Sequence, residues 1–479
     1  MTLTATSVTS IGIRRLIASL CVGIPILLVV LATLGALTEQ TVPGLPTVPA
    51  ITLWALPVGI WVRDASTALT LGAALIGGVL APRPDPRLGR VASLSAIVWL
   101  VALSAQAVLT VSEVLAVSVS QSLDPTIVWS LLSQTTLGRV IVIQFVLVAL
   151  VALLAWVVLD RITGVIILAL VLVATFLPGF TGHSMISEGH ESATISLGIH
   201  ITAAATWIGG LIATVLYLSR RPPGSPQMVR RFSVIALICV ILLAESGLLN
   251  AALRLGSPAE LVTSQYGALI LTKVALLIAL IGFGWRHRQA IATGADEGVG
   301  SILKFATWQV ALMGTALGLS VALSRTAPPA PSIAGTIIPV SVLVVLGLLV
   351  PLAARSWRGP SGRTPTALGR YPEIPAVALL VAMAVIGSLS PMGTISVLVM
   401  ALIALIVLPL LGWAFWTALE ASTNPAAPIL MVVGLPIVAW WVERGVPGGL
   451  GWGTWLSVAL PIGIIVLVVI KQPQAAESS

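Results

Sequence analysis

Apolar residues run along this chain in blocks of about 20 between charged or Pro/Gly-rich breaks, the length a helix needs to cross a bilayer. Fourteen such runs begin near Leu16, Leu53, Val91, Val140, Thr163, Ile195, Phe232, Gly267, Phe305, Ile333, Ile374, Ile395, Ala426 and Trp452. The pattern predicts an all-α, polytopic integral membrane protein with about 14 transmembrane helices. An even number of crossings puts both termini on one side, and the positive-inside rule says which. With the N-terminus in the cytoplasm, eighteen of the 24 Lys and Arg fall in cytoplasmic segments, four (Arg139, Arg254, Arg325, Arg444) in outer ones, and two (Arg63, Lys273) inside apolar runs. The first run, 22 residues from Leu16 to Leu37 behind Arg14 and Arg15, exceeds the apolar core of a signal peptide and reads as a retained helix.

Composition agrees with the pattern. Of 479 residues only 8% are charged and 58% are hydrophobic, and the mean hydropathy is +1.09. A water-soluble domain carries about a quarter charged residues. The net charge of +8 follows from the cytoplasmic Lys and Arg and calls for no nucleic-acid partner. Cys21 and Cys239 both lie in apolar runs, which excludes a disulfide framework and leaves them as small hydrophobes. No GxxxxGK[ST] loop occurs, so no nucleotide is expected to drive the protein. The Pro- and Ala-rich stretch from Ala327 to Pro331 marks a boundary between a domain of about nine helices (1–330) and a five-helix domain (331–479) without histidine. No internal repeat stands out, because Leu/Val/Ala-rich helices resemble one another by composition.

Ionisable groups inside a bilayer cost roughly 2.5 to 3.5 kcal/mol each on insertion scales and mark a pathway or a site. Arg63 and Asp64 in the second run, Glu245 in the seventh and Lys273 in the eighth are such groups, joined by Asn250. They predict a polar pocket opening outward. The competing reading is a pair of structural ion pairs, Arg63 with Asp64 or Glu245 and Lys273 with Glu245, that pin helices together.

Histidine is scarcer and more informative. Three of the four histidines fall within TGHSMISEGHESATISLGIH, which places His183, Met185 and His190 in an outer loop and His200 in the outer half of the following helix. Imidazole and thioether together suit copper, the sulfur favouring Cu(I) and the nitrogens tolerating Cu(II); with Glu188 and Glu191 nearby the set also admits zinc. Trp207, seven residues after His200, shares its helical face, either as a packing surface or as the lining beneath a metal. His287 stands between Arg286 and Arg288 and reads as a solvated cytoplasmic residue.

GHSMISEGH followed by LGIHITAAATWIGGL resembles the signature of copper resistance protein D (CopD-type) membrane proteins, a Gly-His before a His-bearing helix that ends in Trp-x-Gly-Gly. RDASTALTLGAAL, RFSVIALICVILLAESGLLNA, YGALILTKVALLIALIGFGWRHR and VALSRTAPP agree in order, so the resemblance covers roughly residues 50–330. It implies copper handling at a bacterial cytoplasmic membrane, with His183 and His200 matching the family histidines and Glu245, Asn250 and Lys273 its polar membrane positions. Gln309 stands where similar proteins tend to carry an acidic residue, which counts against a proton-coupled role for that helix.

The expected function is therefore capture of copper at the extracytoplasmic face and transfer into or across the membrane, without enzymatic activity. The alternative is a non-transporting, copper-binding assembly factor. Expected partners are the lipid bilayer and a periplasmic copper-binding protein or a respiratory oxidase.

Overall fold

The structure, a computed structural model, describes residues 14–39, 46–157, 160–181, 190–220, 224–255, 259–293 and 295–329. The runs that begin at Ile333 and beyond, and with them the region expected over 331–479, lie outside the described residues. Among the described residues every regular element is helical. They form two compact units. One takes in the described residues of 14–190, His200–Val240 and the described residues of 254–329; the other holds Glu191–Ile199 and Ile241–Leu253.

Eight helices are long and apolar enough to cross a bilayer. These are α1 (Arg14–Thr33) and, after a less hydropathic helix α2 (Ala50–Ala73), the helix α3 (Pro86–Leu115). A short α4 (Pro125–Gln134) precedes α5 (Thr136–Val157) and α6 (Arg161–Phe176). Then come α7 (His190–Leu218) and α8 (Ser225–Arg254), and a one-turn α9 (Glu260–Thr263) precedes α10 (Gln265–Thr293) and α11 (Ala295–Ser324). Each long helix starts before the apolar run that predicted it. Polar N-terminal turns such as Asp85-Pro86 and Asp160-Arg161 cap and begin helices without adding hydropathy; the Asp85 and Asp160 carboxylates accept the Arg87 and Thr163 amides.

The apolar scale passes over α2 because of its polar content, yet α2 runs beside α3 for most of its length. Thr52 near its start meets Ser112 near the end of α3, and Thr70 near its end meets Ser95 in the first half of α3, so the two lie antiparallel over their length. Half of α2 is buried, as is all of the π-helical turn Ala74–Leu80 that continues it. Neighbouring helices shield its polar residues from lipid, as a bilayer requires. The carbonyls freed at the end of that turn are taken by Arg161, whose guanidinium donates to Val79, Ala81 and Pro82.

A repeat absent from composition is present in the order of elements. Two long helices, a short one and two further long ones occur as α2, α3, α4, α5, α6 and again as α7, α8, α9, α10, α11. The joint before the third long helix uses the same device twice. The Thr135 hydroxyl accepts the Gly138 amide at 2.9 Å, and the Ser264 hydroxyl accepts the Gly267 amide at 2.9 Å. In both, the short helix folds back onto the glycine, where an added Cβ would lie 2.0 Å from the Leu131 carbonyl oxygen or 2.2 Å from that of Glu260. The expectation of no repeat is corrected: a hydroxyl cap followed by glycine three residues later carries the signal, and bulk hydropathy hides it.

Candidate functional site

The first polar assembly lies between α2 and α3. Thr52, Arg63 and Thr70 are 11 and 7 residues apart, which at 100° per residue places them within about 20° of one line along α2. Opposite them on α3 stand Ser112, Gln106 and Ser95. Three rungs result: Thr52 and Ser112 share a hydrogen bond of 2.6 Å, Arg63 Nη1 donates to Gln106 Oε1 at 2.9 Å, and Thr70 and Ser95 share one of 2.9 Å. Every polar member except Arg63 is buried below a tenth of its surface, and the Arg63 side chain retains 15% exposure. Arg63 also donates through Nε and Nη2 to one oxygen of its neighbour, Asp64 Oδ1, at 2.8 and 2.6 Å. The expected pairing of Arg63 with Asp64 is thus present, and Gln106 is the member that sequence did not supply. A second ion pair, Glu113 with Arg325, ties the ends of α3 and α11 together.

The second assembly joins the start of α7 to the second half of α8. Asn250 Nδ2 donates to Ser196 Oγ at 3.0 Å and to the Ser246 carbonyl at 2.8 Å, while Ser196 Oγ reaches the same carbonyl at 3.1 Å. Glu245, next to Ser246, lies within the membrane-crossing part of α8 and has no hydrogen-bond or ion-pair partner among the described residues. Lys273 on α10 likewise has no ion-pair partner among the described residues.

Trp207 and the two glycines after it serve packing. Trp207 is 5% exposed, and a Cβ added to Gly209 would sit 1.7 Å from the Ala68 carbonyl oxygen of α2. A Cβ on Gly72 would meet the Gly209 carbonyl carbon at 1.9 Å. Small residues on both sides let the two backbones touch, the usual way membrane helices approach closely.

Of the expected metal ligands, His183 and Met185 lie outside the described residues. His190 is the first residue of α7 and so begins the helix, a correction to its placement in a loop; the polar turn His190–Thr194 extends the helix ahead of its apolar run. His200 is half-buried in α7 and has an interaction partner. Among the described residues no three of His, Cys, Asp and Glu gather as a metal cluster. Cys239 is buried and Cys21 half-buried, both as free thiols.

His287 departs from expectation. It is 7% exposed on α10, with Nε2 3.0 Å from Gln309 Oε1 on α11 and its ring 6.3 Å from that of Phe305, beside which Arg286 also stacks. Burial pushes the imidazole below its usual value, and the Gln309 hydrogen bond partly offsets this. The solvated reading fails because α10 continues well past its apolar run and carries this position against α11. Gln309, an unusual residue by sequence, is thereby accounted for as the partner of a neutral histidine.

Known proteins match this arrangement over the same helices. Residues 50–194 match the copper resistance protein D-like N-terminal domain, and residues 226–323 match copper resistance protein D. Over these residues the chain belongs to the copper resistance protein D family. It is 32% identical over 158 residues to copper transport protein CutJ of Bacillus subtilis (strain 168), covering 32% of this chain and 29% of that protein. It is 28% identical over 286 residues to inner membrane protein YebZ of Escherichia coli (strain K12), covering 56% of this chain and 96% of that one. The chain thus spans less than a third of the length of CutJ. No solved structure matches it. Its apolar helices and these relatives make it a multi-pass protein of the cytoplasmic membrane.

Proposed function

We propose that this protein captures copper ions at the extracytoplasmic face and passes them into or across the membrane. The observation that carries the reading is Glu245. An acidic side chain within a membrane-crossing helix, with no countercharge among the described residues, marks a pathway or a site, and a cation is the ligand it suits. One residue further along α8, Ser246 is bonded to Ser196 of α7 and Asn250 in a neutral polar group that does not repel a cation. In this reading His183, Met185 and His190 form the entry site, His200 receives the ion, and Glu245 offsets its charge deeper in. Soft and imidazole donors at the mouth accept either Cu(I) or Cu(II). Lys273 keeps away from the cation path, and Arg63 is neutralised by Asp64.

The full chain then crosses the membrane fourteen times with both termini cytoplasmic, and residues 331–479 form a separate five-helix domain. The protein acts without catalysis and without nucleotide; the membrane potential or a copper gradient supplies the driving force. A periplasmic copper-binding protein or a respiratory oxidase stands on either side of the transfer.

The test is copper entry into liposomes that hold the purified full chain, with copper outside and a copper-sensitive dye inside. Entry that disappears in the His183→Ala/His190→Ala double variant supports this function. Tight binding without entry would replace it with the assembly-factor role.

A further inference from the structure

At the end of the bundle where α6 and α8 begin, arginine charge collects with little acid to answer it. We propose that Arg161 and Arg231 hold the phosphate of an anionic membrane lipid there, with one acyl chain of that lipid laid along the Ile162–Val173 face of α6. The site stands apart from the copper reading and does not depend on it.

Three segments meet at this end. The loop Ala81–Asp85 is held on one side by Arg161, whose two Nη atoms donate to the Val79, Ala81 and Pro82 carbonyls. On the other side the α7–α8 turn closes on it: Gly224 has a φ of +78°, and a Cβ there would lie 2.6 Å from Pro82 Cγ. The carbonyls fix the Arg161 guanidinium without discharging it, because they carry only partial charge. Arg161 makes no ion pair among the described residues, and it is exposed. The Arg231 guanidinium of α8 stands close enough to feel its charge. Two cations so placed repel each other, and a phosphate, which accepts from guanidinium forks, relieves both. Arg83, Arg87 and Arg230 are exposed on the same segments and add to the field. The acids of these segments, Asp85 and Asp160, are engaged locally, where their carboxylates accept the Arg87 and Thr163 amides at the helix starts.

Helix α6 supplies the track for a chain. Arg161 is the first residue of the membrane-crossing stretch Arg161–Phe180. Directly after it, Ile162, Ile166 and Val173 are 74%, 46% and 53% exposed. At 100° per residue they fall within about 40° of one line, and they cover about 16 Å along the helix. That is close to half of the roughly 30 Å hydrocarbon thickness, the depth of one leaflet. A phosphate at Arg161 therefore starts an acyl chain on an apolar face that ends near the midplane. Trp156, 61% exposed at the adjoining end of α5, stands at headgroup level, as interfacial tryptophans do. A free phosphate would use the arginines and leave this face untouched, so the two features together select a lipid. In the orientation given above this end faces the cytoplasm, the side on which basic segments meet anionic headgroups.

The experiment uses the full chain, delipidated in neutral detergent and titrated with single lipids under native mass spectrometry. Phosphatidylglycerol should bind at least about tenfold tighter than phosphatidylcholine, as two arginines at a membrane surface imply. Arg231→Gln, which removes a charge, and Arg161→Lys, which removes a fork, should each lower that preference about fivefold while eluting as folded protein. Arg139→Gln, at the opposite end of α5, should leave it unchanged. Inorganic phosphate and glycerol phosphate, which lack chains, should not displace the lipid at equal concentration. Equal binding of the two lipids overturns the proposal, and so does a preference that survives in folded Arg231→Gln. The same loss in Arg139→Gln would reduce the site to net charge and overturn it as well. Displacement by either chainless phosphate would make the ligand a free anion and overturn the lipid assignment.

Discussion

The two halves of the repeat solve one problem in different ways. In each, the first long helix is tied to the second by polar side chains deep in the bundle, Arg63 to Gln106 in the first and Ser196 to Asn250 in the second. The first half puts a cation there and neutralises it with the adjacent residue. The second ties its helices with neutral groups and keeps a carboxylate, Glu245, without a countercharge among the described residues. A closed ion pair holds helices together and offers no binding free energy to a visiting ion. An open carboxylate beside neutral dipoles does the reverse. The same order of elements thus carries a fixed charge pair in one half and a neutral tie in the other.

Perturbations of the shared scaffold should have the largest effect. Gly209→Leu places a side chain where even a Cβ lies 1.7 Å from the α2 backbone, so the folded protein should be lost, read as loss of a monodisperse peak after extraction. Glu245→Gln should reduce copper entry at least about tenfold, a change of about 1.4 kcal/mol in the barrier, while leaving copper capture at the outer face intact. Unchanged entry would return Glu245 to packing. In the first half, Arg63→Ala removes one partner of a largely buried pair and should destabilise by about 3 kcal/mol in thermal or denaturant unfolding. Ser196→Ala removes a neutral hydrogen bond in the second half and should cost about 1 kcal/mol. Equal losses from these two substitutions would erase the contrast between the halves.

The smallest effect belongs to the exposed helix caps. The backbone and side-chain hydrogen bonds of Thr163 hold Asp160 below the usual carboxylate value, and those of Thr126 do so for Asp124. A carboxylate depressed in the folded state contributes stability above its unfolded value near 4, and loses that contribution as pH falls through its folded value. His287, lowered by burial, adds a second loss of the same sign. Its neutral form supports folding above about 6.5, and that support fades as pH falls below this. The wild type should therefore melt earlier in mild acid than His287→Gln does, in paired melting curves across pH 5 to 7.

Much of the helical plan was legible because bilayers impose a length, and nearly every described long helix coincides with an apolar run. What sequence hid was relational. Thr52, Thr70, Ser95 and Ser112 are individually ordinary residues, and only their spacing along two antiparallel helices reveals a polar line. The 11- and 7-residue intervals on α2 carried that signal, which a search restricted to ionisable groups passes over. Gln106 was invisible for the same reason. His287 was misplaced because two flanking arginines suggested water, whereas its burial depends on how far α10 runs. Arg63 and Asp64 were found readily, since charge inside an apolar run is rare enough to stand alone.

The backbone-on-backbone crossing of α2 and α7 changes how the Trp-x-Gly-Gly motif at residues 207–210 is to be understood. Gly209 is specified by the steric limit between these two backbones and Gly210 by the Phe232 ring of α8, so a genome search built on those letters recovers a shared architecture whatever ion its bearers handle. Ascribing a metal to such bearers calls for other letters.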